Sequence, residues 1–136
     1  MSTVVTVPQG SHYTFTVSRW RRRAGIKYPQ LYADKAEVAA SKDAMIFNCA
    51  QRAHQNTLET IPIIYVSTLV TGLKYPMFAA SACGIWSLSR IAYTRGYITG
   101  DPAKRLNYGH LAGMLGMLGL VFGSAYTAGQ AVLASL

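Results

Sequence analysis

Residues 106–136 read LNYGHLAGMLGMLGLVFGSAYTAGQAVLASL, 31 positions without one Asp, Glu, Lys or Arg. A helix needs about 20 consecutive apolar residues to cross a bilayer, and this stretch exceeds that length. Gly109-x-x-x-Gly113 and Gly119-x-x-x-Gly123 are spaced to let two membrane helices approach closely. Glycine also recurs in membrane helices without such a role, so the spacing alone leaves both readings open. Two further apolar runs precede this one, at about 53–73 and 76–95, and the last span is set at 106–130. The predicted fold class is therefore all-α, an integral membrane helical bundle with three spans. A soluble protein with a buried helical core is the competing reading.

The connections support this division. A helical pattern runs from about Ala44 to Leu73, with Pro62 inside it as an expected kink unless neighbouring helices compensate. GLKYP at 72–76 is a tight connection, and the next pattern extends from Met77 to Tyr97. In TGDP at 99–102, Gly100 is placed to end one helix, Asp101 to cap the next and Pro102 to occupy its first turn. The chain reads as one membrane domain, 1–136: an N-terminal segment at 1–18, a basic loop at 19–43 and three transmembrane helices in 44–136.

Composition narrows the function classes. Hydrophobic residues make up 51% and charged residues 13%, about half the charged share of soluble domains. Lys and Arg outnumber Asp and Glu 13 to 5, for a formal net charge of +8. Apart from RWRRRAGIK at 19–27, most basic residues stand singly at the edges of apolar runs. A nucleic-acid module would carry a continuous basic stripe with exposed aromatics, so nucleic acid is not an expected partner. Counting basic residues in the loops places both 19–43 and the 95–105 connection on the cytosolic side. Cys49 and Cys83 have no metal-ligand or redox spacing and read as buried thiols. No secretory signal is evident at the N-terminus, because MSTVVTVPQG lacks a basic start and Pro8 and Gly10 interrupt it.

The chemistry concentrates in two stretches. In RAHQNTLE at 52–59, Arg52, Asn56 and Glu59 fall on one helical face, and His54 points away from Asn56 toward a different neighbour. Charges at the edge of an apolar segment need a partner or a task. An internal Arg52–Glu59 pair satisfies that need, and so does a ligand. For His54, a hydrogen bond at an interface outweighs metal ligation, since no second His stands at ligand spacing. In SRIAYTRGYITGDPAKR at 89–105, Arg90, Tyr93 and Tyr97 share a face. Arg105 is expected in the first turn of the last helix, where its guanidinium and the helix dipole would together attract an anion. A lipid-phosphate anchor is the alternative for Arg105, and an aromatic belt for the tyrosines. No nucleophile triad, carboxylate pair, phosphate loop or metal cluster is present in the pattern. Cations, amides and phenols with one carboxylate suit a small zwitterion that carries its own nucleophile.

FNCAQRAHQNTLE at 47–59, RIAYTRGYITGDPAKR at 90–105 and IKYPQLYA at 26–33 resemble the third microsomal glutathione transferase subgroup. These belong to the membrane-associated proteins of eicosanoid and glutathione metabolism, and the resemblance covers about 17–130. It implies a homotrimeric, multi-pass enzyme of the endoplasmic reticulum membrane. Each subunit would be a four-helix bundle, with glutathione bound between subunits near the cytosolic face. It implies glutathione as co-substrate, no metal, and a lipophilic electrophile or lipid hydroperoxide as second substrate. By position, Arg52, Asn56, Glu59, Tyr93 and Tyr97 match glutathione-binding residues. Arg105 matches the arginine that stabilises the thiolate, while His54 and Arg21 match positions that reach the adjacent subunit's site.

Two departures stand out. Thr60 follows Glu59 where leukotriene-C synthases carry Tyr, which argues against efficient leukotriene synthesis. The family's first spanning helix precedes the basic loop, and here only 18 residues do so; VTVPQ runs abruptly into HYTFTVS. The expectation is that this helix has been lost, by splicing or by an incorrect gene prediction, leaving three spans of four. Two functions follow: a membrane glutathione transferase or peroxidase, or a non-catalytic interaction protein on the same scaffold.

Overall fold

A computed structural model describes residues 15–136. Residues 1–14, and with them most of the expected N-terminal segment and its junction, lie outside the described residues. Helix α1, described over residues 15–24, stops at Gly25, whose φ of 70° lies in the left-handed region that glycine enters without steric cost. Helix α2 (Lys35–Ala40) starts from a capping box: Asp34 accepts from the Glu37 N–H, and Glu37 accepts from the Asp34 N–H. Helix α3 (Lys42–Gly72) follows at once, with Ser41 as its cap, and runs through Pro62 as one helix. Helix α4 (Pro76–Tyr97) begins on a proline, which suits a position lacking an intrahelical N–H bond.

The last turn-and-helix pair departs from the sequence expectation. Asp101 does act as a cap, accepting from Ala103 N–H at 3.0 Å, but the helix it caps is a four-residue 3-10 turn, Pro102–Arg105. The long helix α5 (Tyr108–Ser135) has its own cap, Asn107, whose Oδ1 accepts from His110 N–H. The Asn107 amide also donates to Ala92 O at 3.0 Å, tying the start of α5 to α4. Arg105 therefore ends a 3-10 turn instead of opening the last helix, whose first residue is Tyr108. Asp101 and Asn107, both good cap residues six positions apart, each cap an element of their own.

Helices α3, α4 and α5 pack around Ile64, Ala79, Ala82, Cys83, Trp86 and Leu120. A second core, built on Ile26, Ala33, Ala44 and Phe47, fastens the N-terminal segment to the start of α3. Asn48 clamps this junction by exchanging two hydrogen bonds with the Ala33 backbone, at 2.8 and 2.9 Å. The glycines of α5 allow the closest helix contact. A Cβ on Gly113 would lie 1.9 Å from Ser89 Oγ, and one on Gly109 would lie 2.7 Å from Ala92 Cβ. Gly123 likewise faces Thr71 and Phe78. Both glycine pairs thus serve close packing.

The all-α bundle matches expectation, and the three-span membrane topology does not. Among the described residues only α5, with a mean hydropathy of 1.5, is long and apolar enough to cross a membrane. Helices α3 and α4 have the length but not the composition. Gln51, Arg52, His54, Gln55, Asn56 and Glu59 dilute the first; Arg90, Arg95 and repeated serines dilute the second. Several of these polar groups turn into the bundle, where Thr57, Thr71, Ser87 and Arg90 are buried. The expected localisation, multi-pass in the endoplasmic reticulum membrane with its site toward the cytosol, loses its topological basis with the same finding.

Candidate functional site

The site grows from the polar middle of α3 and the C-terminal half of α4. The 3.6-residue period brings Asn56 of α3 opposite Arg90 of α4, and Arg90 Nη2 donates to Asn56 Oδ1 at 2.8 Å. Arg90 Nε donates to Thr57 Oγ1 at 3.1 Å, and the Thr57 hydroxyl in turn donates to Ala53 O at 2.9 Å. The guanidinium lies 4.0 Å from the centroid of the Tyr93 ring. Tyr93 meets Tyr97 edge-on at 5.5 Å, and Arg105 lies 5.2 Å from the Tyr97 ring. The result is a cation–ring–ring–cation stack along one face of α4, each cation drawn to a π face. Arg90 was legible from its spacing with the tyrosines, yet nothing in the sequence revealed that it holds Asn56.

Arg105 is half-buried and donates from Nη1 to Pro102 O at 2.6 Å, which fixes the guanidinium against its own turn. An arginine carries five N–H donors, so this anchoring leaves others for a ligand. Gly96 makes the arrangement possible: a Cβ there would lie 2.2 Å from Lys104 O, inside the backbone of the turn. Cys49, buried beneath this end of the bundle, has its thiol pushed up by burial, and the nearby Arg105 partly opposes that shift. Burial chiefly, then the neighbouring Tyr93, also raises the Tyr97 phenol above its usual range.

The remaining predicted residues divide into two groups. Arg52 and Glu59 stay half-exposed and pair with each other at 3.6 Å, so the internal ion pair allowed by the sequence does form. His54 is half-buried on a different side of α3 from Asn56. Arg21 is turned inward. Its Nη1 donates to Gln30 O at 2.6 Å, and its guanidinium is sandwiched between Tyr28 at 4.2 Å and Phe47 at 4.7 Å. One chain therefore gathers Asn56, Tyr93, Tyr97 and Arg105 through Arg90. Arg52 and Glu59 share the Asn56 face of α3 and pair with each other there, and Arg21 packs against Tyr28 and Phe47.

His110 is a residue that sequence reasoning passed over. Its ring lies 5.1 Å from Tyr93, and it lines a small cavity with Asn56, Arg90 and Trp86. The only sequence signal for it was its position, three residues after a capping Asn on an otherwise uncharged helix.

The described residues thus form a helical bundle with one long uncharged helix and with arginines stacked on tyrosines at one end. The family model for the MAPEG family matches residues 3–126, and the chain belongs to that family. Its members are glutathione-dependent transferases and peroxidases associated with membranes.

Proposed function

We propose that the protein is a glutathione transferase of the third microsomal subgroup, with glutathione-dependent reduction of lipid hydroperoxides as a second activity. The observation that carries this is Arg105: a guanidinium held on the Tyr97 ring, anchored by one backbone bond and without a carboxylate partner among the described residues. Arg52 and Arg105 supply cations for the two carboxylates of glutathione and its thiolate, Glu59 a carboxylate for its ammonium group, and Asn56 an amide. Tyr93 and Tyr97 wall the site. A free thiol of pKa about 8.5 is mostly protonated at neutral pH. A guanidinium beside it favours the thiolate, and each pKa unit of lowering is worth about 1.4 kcal/mol. The thiolate sulfur then attacks a lipophilic electrophile, forming a thioether as the leaving group departs, or attacks the terminal oxygen of a hydroperoxide, breaking the O–O bond to release the lipid alcohol and leave glutathione sulfenic acid, which a second glutathione converts to the disulfide and water.

The resemblance implies a homotrimer, and the complete site is proposed to draw on a second copy, toward which His54 would point from a different side of α3 than Asn56. Arg21, packed between Tyr28 and Phe47, positions the N-terminal segment in this reading and lies back from the ligand. Thr60 donates to the backbone of its own helix at 3.0–3.1 Å, leaving no phenol where leukotriene synthesis would use one.

The Arg105→Ala variant should assemble normally and lose most turnover with glutathione and a lipid hydroperoxide; full turnover by an intact assembly refutes the assignment. The Arg52–Glu59 pair favours a second reading, a non-catalytic interaction protein whose charges neutralise each other. Thermal denaturation with and without glutathione separates the two, since a ligand bound only by the folded state raises its stability. At about 100 times Kd the gain is about 2.7 kcal/mol. An unchanged melting temperature leaves the interaction protein as the better account.

A further inference from the structure

Residues 15–33 carry Arg19, Arg21, Arg22, Arg23 and Lys27 and no Asp or Glu. On helix α1, spacings of three and four residues set Arg19, Arg22 and Arg23 on one face and Arg21 on the opposite one. The packing follows that division. Val17, Trp20 and Ala24 pack on the core at the start of α3, and Arg21 is buried on the same side. Arg19, Arg22 and Arg23 are exposed and line an open cleft of about 390 Å³. None of the three has a carboxylate partner among the described residues. The Arg23 guanidinium lies 4.9 Å from the centroid of the Trp20 ring, which steadies it at the edge of the cleft. Like charges gathered around one cleft repel, and an anion seated between them removes that cost.

The cleft stands at the level of a bilayer's headgroups. A Cβ on Gly100 would lie 3.6 Å from both Ile46 and Lys42, so the start of α3 sits beside the connection that leads into α5. Helix α1 and Tyr108, the first residue of α5, therefore share one end of the bundle, and the end of a spanning helix lies among headgroups. One turn before Arg19, Phe15 occupies the same face of α1 and is 75% exposed. Helix rise separates Phe15 from Arg22 by about 10 Å along the axis, while a headgroup layer is roughly 5–8 Å thick. The phenyl ring thus reaches hydrocarbon while the guanidiniums stay among phosphates. An acidic protein or a nucleic acid would give Phe15 no such place.

We propose that the Arg19–Arg22–Arg23 face of α1 binds the headgroup of an anionic phospholipid of the phosphatidate class, which ends in a phosphomonoester. Such a group presents three oxygens and close to two negative charges, and guanidinium forks take phosphate oxygens two at a time. A phosphodiester headgroup carries one charge on its phosphate and offers fewer free oxygens. The face shares no residue with the stack of Arg90, Tyr93, Tyr97 and Arg105, so the proposal does not depend on the transferase reading.

The test reconstitutes the full chain in phosphatidylcholine vesicles at about 0.15 M salt, with spin-labelled phosphatidate, phosphatidylserine or phosphatidylcholine as the probe. Electron spin resonance reads the fraction of each lipid that the protein holds. Phosphatidate should be retained about tenfold over phosphatidylcholine, and phosphatidylserine only about threefold. Replacing the three arginines together, as Arg19→Lys, Arg22→Lys and Arg23→Lys, keeps the charge but removes the forks, and should bring phosphatidate down to the phosphatidylserine level. The corresponding Arg→Gln set should bring both down to phosphatidylcholine. Equal retention of phosphatidate and phosphatidylserine by the unaltered protein overturns the proposal, and so does undiminished phosphatidate retention by the glutamine variant. Soluble glycerol phosphate that displaces phosphatidate at equal concentration would make the cleft a free-phosphate site and overturn the lipid assignment. The comparison among lipids is made on the unaltered protein, so it stands even if the glutamine variant misfolds.

Discussion

Single side chains in this protein do different work according to how deeply they sit. Arg52 and Glu59 form an exposed pair, and exposed pairs contribute about 0–1 kcal/mol to stability. Glu59→Gln should therefore leave the melting temperature nearly unchanged while raising the KM for glutathione. A large loss of stability would instead assign the pair a structural role. Cys49 makes a prediction about pH. Its thiol is raised by burial, so between the unfolded and folded values the unfolded chain releases its proton first. Stability is then fully present below the ordinary thiol range and falls as pH rises. Tyr97 acts in the same direction at higher pH. Melting temperature should decline from about pH 8 to about pH 10, and Cys49→Ala should flatten the first part of that decline. A slope unaffected by the substitution would remove Cys49 as its source.

Between elements, glycine decides how closely two helices approach. Gly113→Ala places a methyl group 1.9 Å from Ser89 Oγ, so α4 and α5 must separate or the serine must move. Overpacking of this kind costs about 1–3 kcal/mol, measurable by chemical denaturation in detergent. Gly96→Ala acts on function by a different route. The added methyl meets the Lys104 carbonyl and pushes the 3-10 turn off α4, carrying Arg105 away from Tyr97. Turnover should fall toward the level of Arg105→Ala with little change in expression; an active Gly96→Ala enzyme would show that Arg105 does not need this placement.

For the whole molecule, the question is how a bundle whose described residues hold one helix long and apolar enough to span associates with a membrane. Helix α5 keeps only 17% of its apolar window buried within the chain, so most of that surface is available to lipid or to another copy. Phe122 is 70% exposed near its middle. Phe122→Lys introduces a charge that costs about 2.5–3.5 kcal/mol at the centre of a spanning helix. The variant should shift from the carbonate-resistant membrane fraction toward the wash; unchanged retention would argue that α5 is covered by protein at that point.

Much of this architecture was readable from the chain. The helices, the GLKYP connection, the polar face at 52–59 and the Arg90–Tyr93–Tyr97 alignment depend on local periodicity and turn chemistry, which a sequence displays directly. Three features were not. Whether Asp101 or Asn107 caps the last helix depended on a competition between two good caps only six residues apart. Which polar side chains of α3 and α4 turn inward depended on how the helices pack, and Thr57, Thr71, Ser87 and Arg90 are the buried ones. The pairing of Asn56 with Arg90, 34 residues apart, and the seating of His110 beside them depended on how three helices rotate against one another. By itself the sequence determined an all-helical chain with an Arg–Asn–Glu face and an uncharged last helix, because those properties belong to neighbours three and four residues apart. Only the tertiary structure decided which cations are paired, which are buried without a counter-ion and where Arg105 sits, because these depend on distances between separate helices.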